Sequence, residues 1–313
     1  MATLGPMAPG DADASASPWC AASSVAAGES QFGTAAPGID AWLMLEYTGA
    51  WAGKAWEAAQ VSASVRAHVD AFIEGTAGAR LQLIGRPGAA RRGPAGVVVM
   101  LASTRNDGVP RVARWQLDGL DALPGIDLAG ALAQLRTGAV PAGAQAVTQP
   151  LLLVCTNGKR DRCCAKFGVA VYEVAARRAE LEAWQTTHLG GHRFAATALW
   201  LPEGLCVGRL TAAGTDAFLD AALRRELGDV ALLRGRTCLS EAAQAAECLW
   251  RSELDLRGFD DVVIEGEQPD PGGVQVRARV RGAMLERTVR SIDTGAVAAP
   301  SCGKPPAPVL RWA

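Results

Sequence analysis

Strand-sized apolar runs alternate with amphipathic stripes along this chain, and that alternation restricts it to layered α/β folds. The run Ala41–Tyr47 predicts a strand. Ala55, Ala58, Val61, Val65, His68 and Phe72 recur every three or four residues, so 55–75 predicts a helix with one apolar face, His68 packed on it. Leu81–Ile84, Gly96–Ala102 and Val112–Leu117 predict strands. The first two are joined by GRPGAARRGPAG, read as a mobile solvated loop. Past the Gly/Pro-rich stretch 137–150 come an apolar strand (Leu151–Val154), a loop bearing three cysteines, a helix (Phe167–Leu181) and a strand near Trp184–Thr186. Strands at 193–201 and 206–210 then flank Pro202-Glu203-Gly204, and a helix follows at 215–226. That β-α-β-β-β-α order is that of a thioredoxin-like layer. A helix around Ser240–Trp250 precedes Val262–Glu265 and the alternating Val274–Val280. No internal repeat is legible in the sequence.

The 313 residues therefore divide into a loosely ordered arm (1–38), an N-terminal α/β domain (39–146), a thioredoxin-like domain (147–235) and a C-terminal helix plus β appendage (236–313). A formal net charge of −1 provides no field to attract nucleic acid or anionic lipid. The apolar runs fall far short of the roughly 18 residues that span a bilayer. The N-terminus lacks the basic and apolar regions of a secretory signal. A cytoplasmic location is expected, with neither nucleic acid nor membrane as partner. No paired-carboxylate signature, activated serine or phosphate loop is legible, so electron transfer is expected ahead of turnover chemistry on a small molecule.

Two segments concentrate the chemistry. One holds Cys155, Cys163 and Cys164; the other is His188-Leu-Gly-Gly-His192, with two of the three histidines in the chain. The glycines oppose a helix and permit a turn that aims both imidazoles at one point. Eight cysteines in a chain without an export signal read as thiols free to bind metal. Two thiolates with two imidazoles suit a tetrahedral zinc or a two-iron cluster. Eight residues between Cys155 and Cys164 exceed the usual two to four of a zinc knuckle and favour the larger body. A redox pair Cys163/Cys164 is a third reading, although vicinal cysteines are not the C-x-x-C of thioredoxins. Cys206 reads as core. Cys20, Cys238, Cys248 and Cys302 are assigned no ligand role.

CTNGKRDRCCAKFG, HLGGHRFAAT and LPEGLCVGRL resemble the sucrase/ferredoxin-like family, most strongly over residues 150–210 and more weakly at WLMLEYTGAW, GRTCLSEAAQAAE and Ser301-Cys302-Gly303. The resemblance implies a thioredoxin-like ferredoxin domain and a [2Fe–2S] cluster held by Cys155, Cys164, His188 and His192. Adjacent side chains diverge, so one of Cys163 and Cys164 should reach the cluster. Cys164, nearer the following helix, is favoured, and the relatives' spacing agrees. The resemblance implies one-electron transfer with a protein donor or acceptor, and the basic cluster Lys159, Arg160, Arg162 and Lys166 suggests that this partner is acidic. A zinc-stabilised Cys2His2 binding module is the alternative. Imidazole nitrogens facing solvent would make the potential pH-dependent.

Overall fold

The expected strands between residues 41 and 117 all form, as neighbours in one ten-stranded sheet. The computed structural model describes residues 19–87, 96–106, 109 and 111–313. Most of the GRPGAARRGPAG segment, and the arm up to residue 18, lie outside the described residues.

After a short helix α1 (Cys20–Ala26), the chain runs through β1 (Ala41–Glu46), α2 (Ala63–Gly75), β2 (Ala79–Gly85), β3 (Val97–Ser103), β4 (Arg111–Leu117) and α3 (Leu128–Arg136). The two-residue β5 (Gln145–Ala146) ends this part. Next come β6 (Leu151–Cys155), α4 (Arg162–Ala175), β7 (Glu182–Thr186), β8 (Ala198–Leu201), β9 (Leu205–Val207) and α5 (Ala212–Leu223). The element order is the same in both halves, and so is the pairing. β1 lies parallel to β2 and antiparallel to β3, which pairs with β4; β6 lies parallel to β7 and antiparallel to β8, which pairs with β9. The fold thus repeats a thioredoxin-like layer where the sequence shows no repeat, because layer topology constrains apolar periodicity and not residue identity. β2 and β7 join the halves antiparallel through Ile84–Thr186 and Gly85–Gln185.

Period-two alternation gives each strand two buried faces. Leu43, Leu45, Val99 and Leu101 pack with α2 and α3. Leu152, Val154, Ala198 and Trp200 pack with α4 and α5. The intervening Trp42, Met44, Leu151 and Leu153 form a cluster shared by both halves, which also takes in Cys155, Cys164 and Trp184.

Two helix starts differ from the expected ones by more than one turn. α2 begins at Ala63, eight residues late, because the Arg66 guanidinium donates to the carbonyls of Trp56 and Ala59 and holds 55–58 as turns. His68 is half-buried at the rim of the α2 face. α4 begins five residues early. Asp161 accepts a hydrogen bond from the Cys163 N–H at 2.9 Å and caps the helix. The three cysteines therefore do not share a loop: Cys155 ends β6, and Cys163 and Cys164 sit in the first turn of α4.

The β-rich C-terminal part comprises β10 (Leu233–Arg236), at the sheet edge, α6 (Glu241–Leu254), a three-stranded antiparallel sheet of β11 (Val262–Asp270), β12 (Gly273–Val280) and β13 (Ala283–Val289), and a hairpin of β14 (Ser291–Ala298) and β15 (Ala307–Trp312). Ala246 and Trp250 of α6 pack on Val276, Ala278 and Val289. Residues 19–38, expected to be loose, are folded onto the body. Backbone N–H groups of Gly33 and Thr34 donate to Arg234 O, and those of Gly38 and Ile39 donate to Leu239 O and Thr237 O. Cys20 and Ala35 are buried. An Ala/Gly/Ser-rich composition conceals this docking, since backbone groups supply it.

Candidate metal centre

β6 and α4 form a tight strand–turn–helix. The turn is narrow because two glycines leave no room for a side chain. A Cβ on Gly168 in α4 would lie 2.1 Å from Cys155 O, and one on Gly158 2.7 Å from Ala165 Cβ. The close crossing sets the end of β6 against the first turn of α4, so Cys155 and Cys164 meet. Their sulfurs lie 4.0 and 3.9 Å from His188 Nδ1, and all three donor atoms fall within 4.8 Å of one another.

The histidines leave β7 in a turn whose Gly190 and Gly191 have φ of 97° and 66°, open to glycine without strain. Two arginines hold the turn from outside. Arg80 donates to His188 O (2.8 Å) and the buried Arg234 to Gly190 O (2.9 Å). A Cβ on Gly191 would meet the Arg234 guanidinium at 2.3 Å. This packing stacks the His192 ring on His188, centroids 5.0 Å apart.

The far nitrogen of His192 does not face solvent. Its Nε2 donates to Pro300 O at 2.9 Å. That bond fixes the proton on Nε2 and leaves the Nδ1 lone pair for a ligand. Nδ1 is buried without a hydrogen-bond partner. Burial also pushes the imidazole below its ordinary pKa, and the nearby Asp161 carboxylate only partly offsets this, so the ring is neutral at neutral pH. In the thiol pair, a hydrogen bond from Cys164 holds Cys155 below the usual thiol range, assisted by His188 and the Leu189 N–H; the same bond pushes Cys164 up.

Of the four residues named from the sequence, three converge and the fourth stacks beside them. Cys163, one position from Cys164, points elsewhere. Its sulfur lies 3.6 Å from that of Cys20 and 3.4 Å from that of Cys302. Cys163 and Cys164 therefore belong to different groups, and the fold does not assemble them as a dithiol. Cys206 is buried as expected, its sulfur 3.5 Å from Arg234 Nη1. Trp184 is buried in the same apolar cluster as Cys155 and Cys164 and carries the Arg86 guanidinium 3.7 Å from its ring centre. Sequence reasoning missed the two arginines on the turn and the Cys20 and Cys302 thiols. The terminal Ser301-Cys302-Gly303, part of the resembling segments, was the one signal available. Among the described residues, no helix is long and apolar enough to cross a membrane.

The sequence profile described as sucrase/ferredoxin-like matches residues 33–237. No curated protein and no solved structure matches the chain.

Proposed function

The chain belongs to the sucrase/ferredoxin-like family, and on that premise we propose that it is a one-electron carrier whose Cys155, Cys164, His188 and His192 hold a [2Fe–2S] cluster. The observation that carries the reading is the His192 Nδ1, buried and unpartnered, beside a Cys-Cys-His group of donors. A closed tetrahedral ion site needs four protein donors equally close. Three close donors and a fourth set back beside them suit an inorganic body larger than one ion.

Bound there, the cluster supplies a one-electron couple, and two neutral imidazoles in place of two thiolates raise its potential above that of an all-cysteine ferredoxin. The chain's own residues set the conditions. The hydrogen bond from Cys164, assisted by His188, favours thiolate at Cys155. Pro300 O keeps the His192 proton on the nitrogen away from the thiols. The packed Trp184 and Leu189 exclude water from one side. Lys159, Arg160, Arg162 and Lys166, all exposed, with Arg162 and Lys166 over the Trp19 ring, offer an acidic protein partner a docking field. A reducing cytoplasm, where the thiols stay free, is the compartment this chemistry suits.

Protein purified without oxygen is the test. A red-brown solution with two irons per chain, bleached by dithionite, is the expected result. A colourless protein holding zinc on Cys155, Cys164 and His188 overturns the carrier reading in favour of a zinc-stabilised binding module.

A further inference from the structure

A second group of donors stands behind the first. Cys20 from α1, Cys163 from α4 and Cys302 from the β14–β15 connection place three sulfurs 3.4, 3.6 and 3.7 Å apart. The residues are separated by 139 to 282 positions in sequence, so only the finished fold brings them together. Asp161 completes the group, within 4.8 Å of all three sulfurs. Its Oδ2 accepts from the Cys302 N–H and the Ser301 hydroxyl, both at 2.9 Å. Its Oδ1 accepts from the Cys163 N–H at 2.9 Å and from the Cys20 thiol at 3.7 Å, so ionisation of Cys20 on metal binding would free a lone pair on that oxygen.

The spacing discriminates between occupants. Metal–sulfur bonds of about 2.3 Å at tetrahedral angles set sulfurs about 3.8 Å apart. The three separations sit at or just under that edge, whereas thiolates on separate irons of a cluster stand wider. A disulfide needs about 2.05 Å, and three mutually equidistant sulfurs favour no one pair. Trp19, Ala21, Phe167 and Ala195 form an apolar wall around the group, as around closed structural metal sites.

We propose that Cys20, Cys163, Cys302 and Asp161 bind one thiophilic divalent cation of the zinc type, a structural site distinct from the Cys155–Cys164–His188–His192 centre. The vicinal pair is then divided, one thiol to each site. The ion staples both outer segments of the described chain to the first turn of α4. The Cys302 segment so fastened is the one whose Pro300 O holds His192.

Elemental analysis of the full chain, expressed with both iron and zinc supplied, tests this. Wild type should retain about one zinc per chain through gel filtration. Cys302→Ser should lose at least tenfold of that zinc and keep its iron and visible colour; Cys164→Ser should lose iron and keep zinc. Cobalt(II) added to chelator-treated wild type gives a readout that needs no variant, since a tetrahedral thiolate site produces intense visible bands and sulfur-to-metal charge transfer. Four outcomes overturn the proposal: wild type with less than a tenth of a zinc per chain and no cobalt thiolate bands; zinc lost with Cys164 and not with Cys302; zinc unaffected by Cys302→Ser; or, in alkylated unreduced protein, a disulfide among Cys20, Cys163 and Cys302. Absence of iron with zinc still dependent on Cys302 overturns the carrier reading and leaves this site standing.

Discussion

Gly168→Ala adds one methyl group at the point where α4 crosses β6. The Cβ would arrive 2.1 Å from Cys155 O and 3.1 Å from its carbon. A carbon–oxygen contact needs about 3.3 Å, so helix and strand must separate by about 1 Å. Two effects compete. Alanine in a helix interior gains about 1 kcal/mol over glycine. Overpacking a well-filled site costs about 1–3 kcal/mol. Here the obstructing atom is backbone, anchored by the β6 ladder, so the cost falls at the upper end and the net loss should be about 1–2 kcal/mol. The same displacement pulls the first turn of α4, with Cys164, away from Cys155. Iron content should therefore fall along with stability. Urea unfolding gives the first quantity and iron per chain the second. Gly75→Ala is the control, because Gly75 is helical and has nothing within 4 Å of its Cβ position; it should be neutral or stabilising. Gly168→Ala matching Gly75→Ala in stability, with full iron, refutes the crossing argument.

Four further outcomes are expected. Cys164→Ser should abolish or severely weaken cluster binding while Cys163→Ser leaves the visible spectrum intact; the reverse pattern in absorbance exchanges their assignments. Converting His192 to Cys should retain a cluster at lower potential, and an unchanged midpoint in a redox titration removes His192 from the ligand set. Glu247, fully buried, joins Arg236 and Arg251 at 3.0 and 2.9 Å. Removing one partner from such a network costs about 3–5 kcal/mol, so Glu247→Ala should lose that much in urea unfolding. Burial raises the Glu247 pKa, but the two guanidiniums outweigh it and the net shift is downward. Its stabilisation is then complete above the ordinary glutamate pKa of about 4.3 and disappears as pH falls through the lower folded value. The wild-type advantage over Glu247→Gln should hold constant from neutral pH to about pH 5 and narrow below it.

The strands were legible because period-two apolar runs survive any tertiary context, and β1 to β4 form close to where the sequence places them. Helix starts were less so. At α4 the stripe Cys164, Gly168, Val171, Tyr172 and Ala175 is buried at helical spacing, but reading the cysteines only as ligands hid it. Asp161, a favoured N-cap type two residues ahead of Cys163, was the overlooked signal. The Cys155, Cys164 and His188 convergence was readable because a strand–turn–helix and a Gly-Gly turn are local. The approach of Cys20 to Cys302 was not, since a single sequence carries no measure of contact across 282 positions.

The carbonyl that orients His192 comes from the β14–β15 connection, 108 positions along the chain. A protease cut in that connection would release the imidazole from its anchor while the ten-stranded sheet stayed paired.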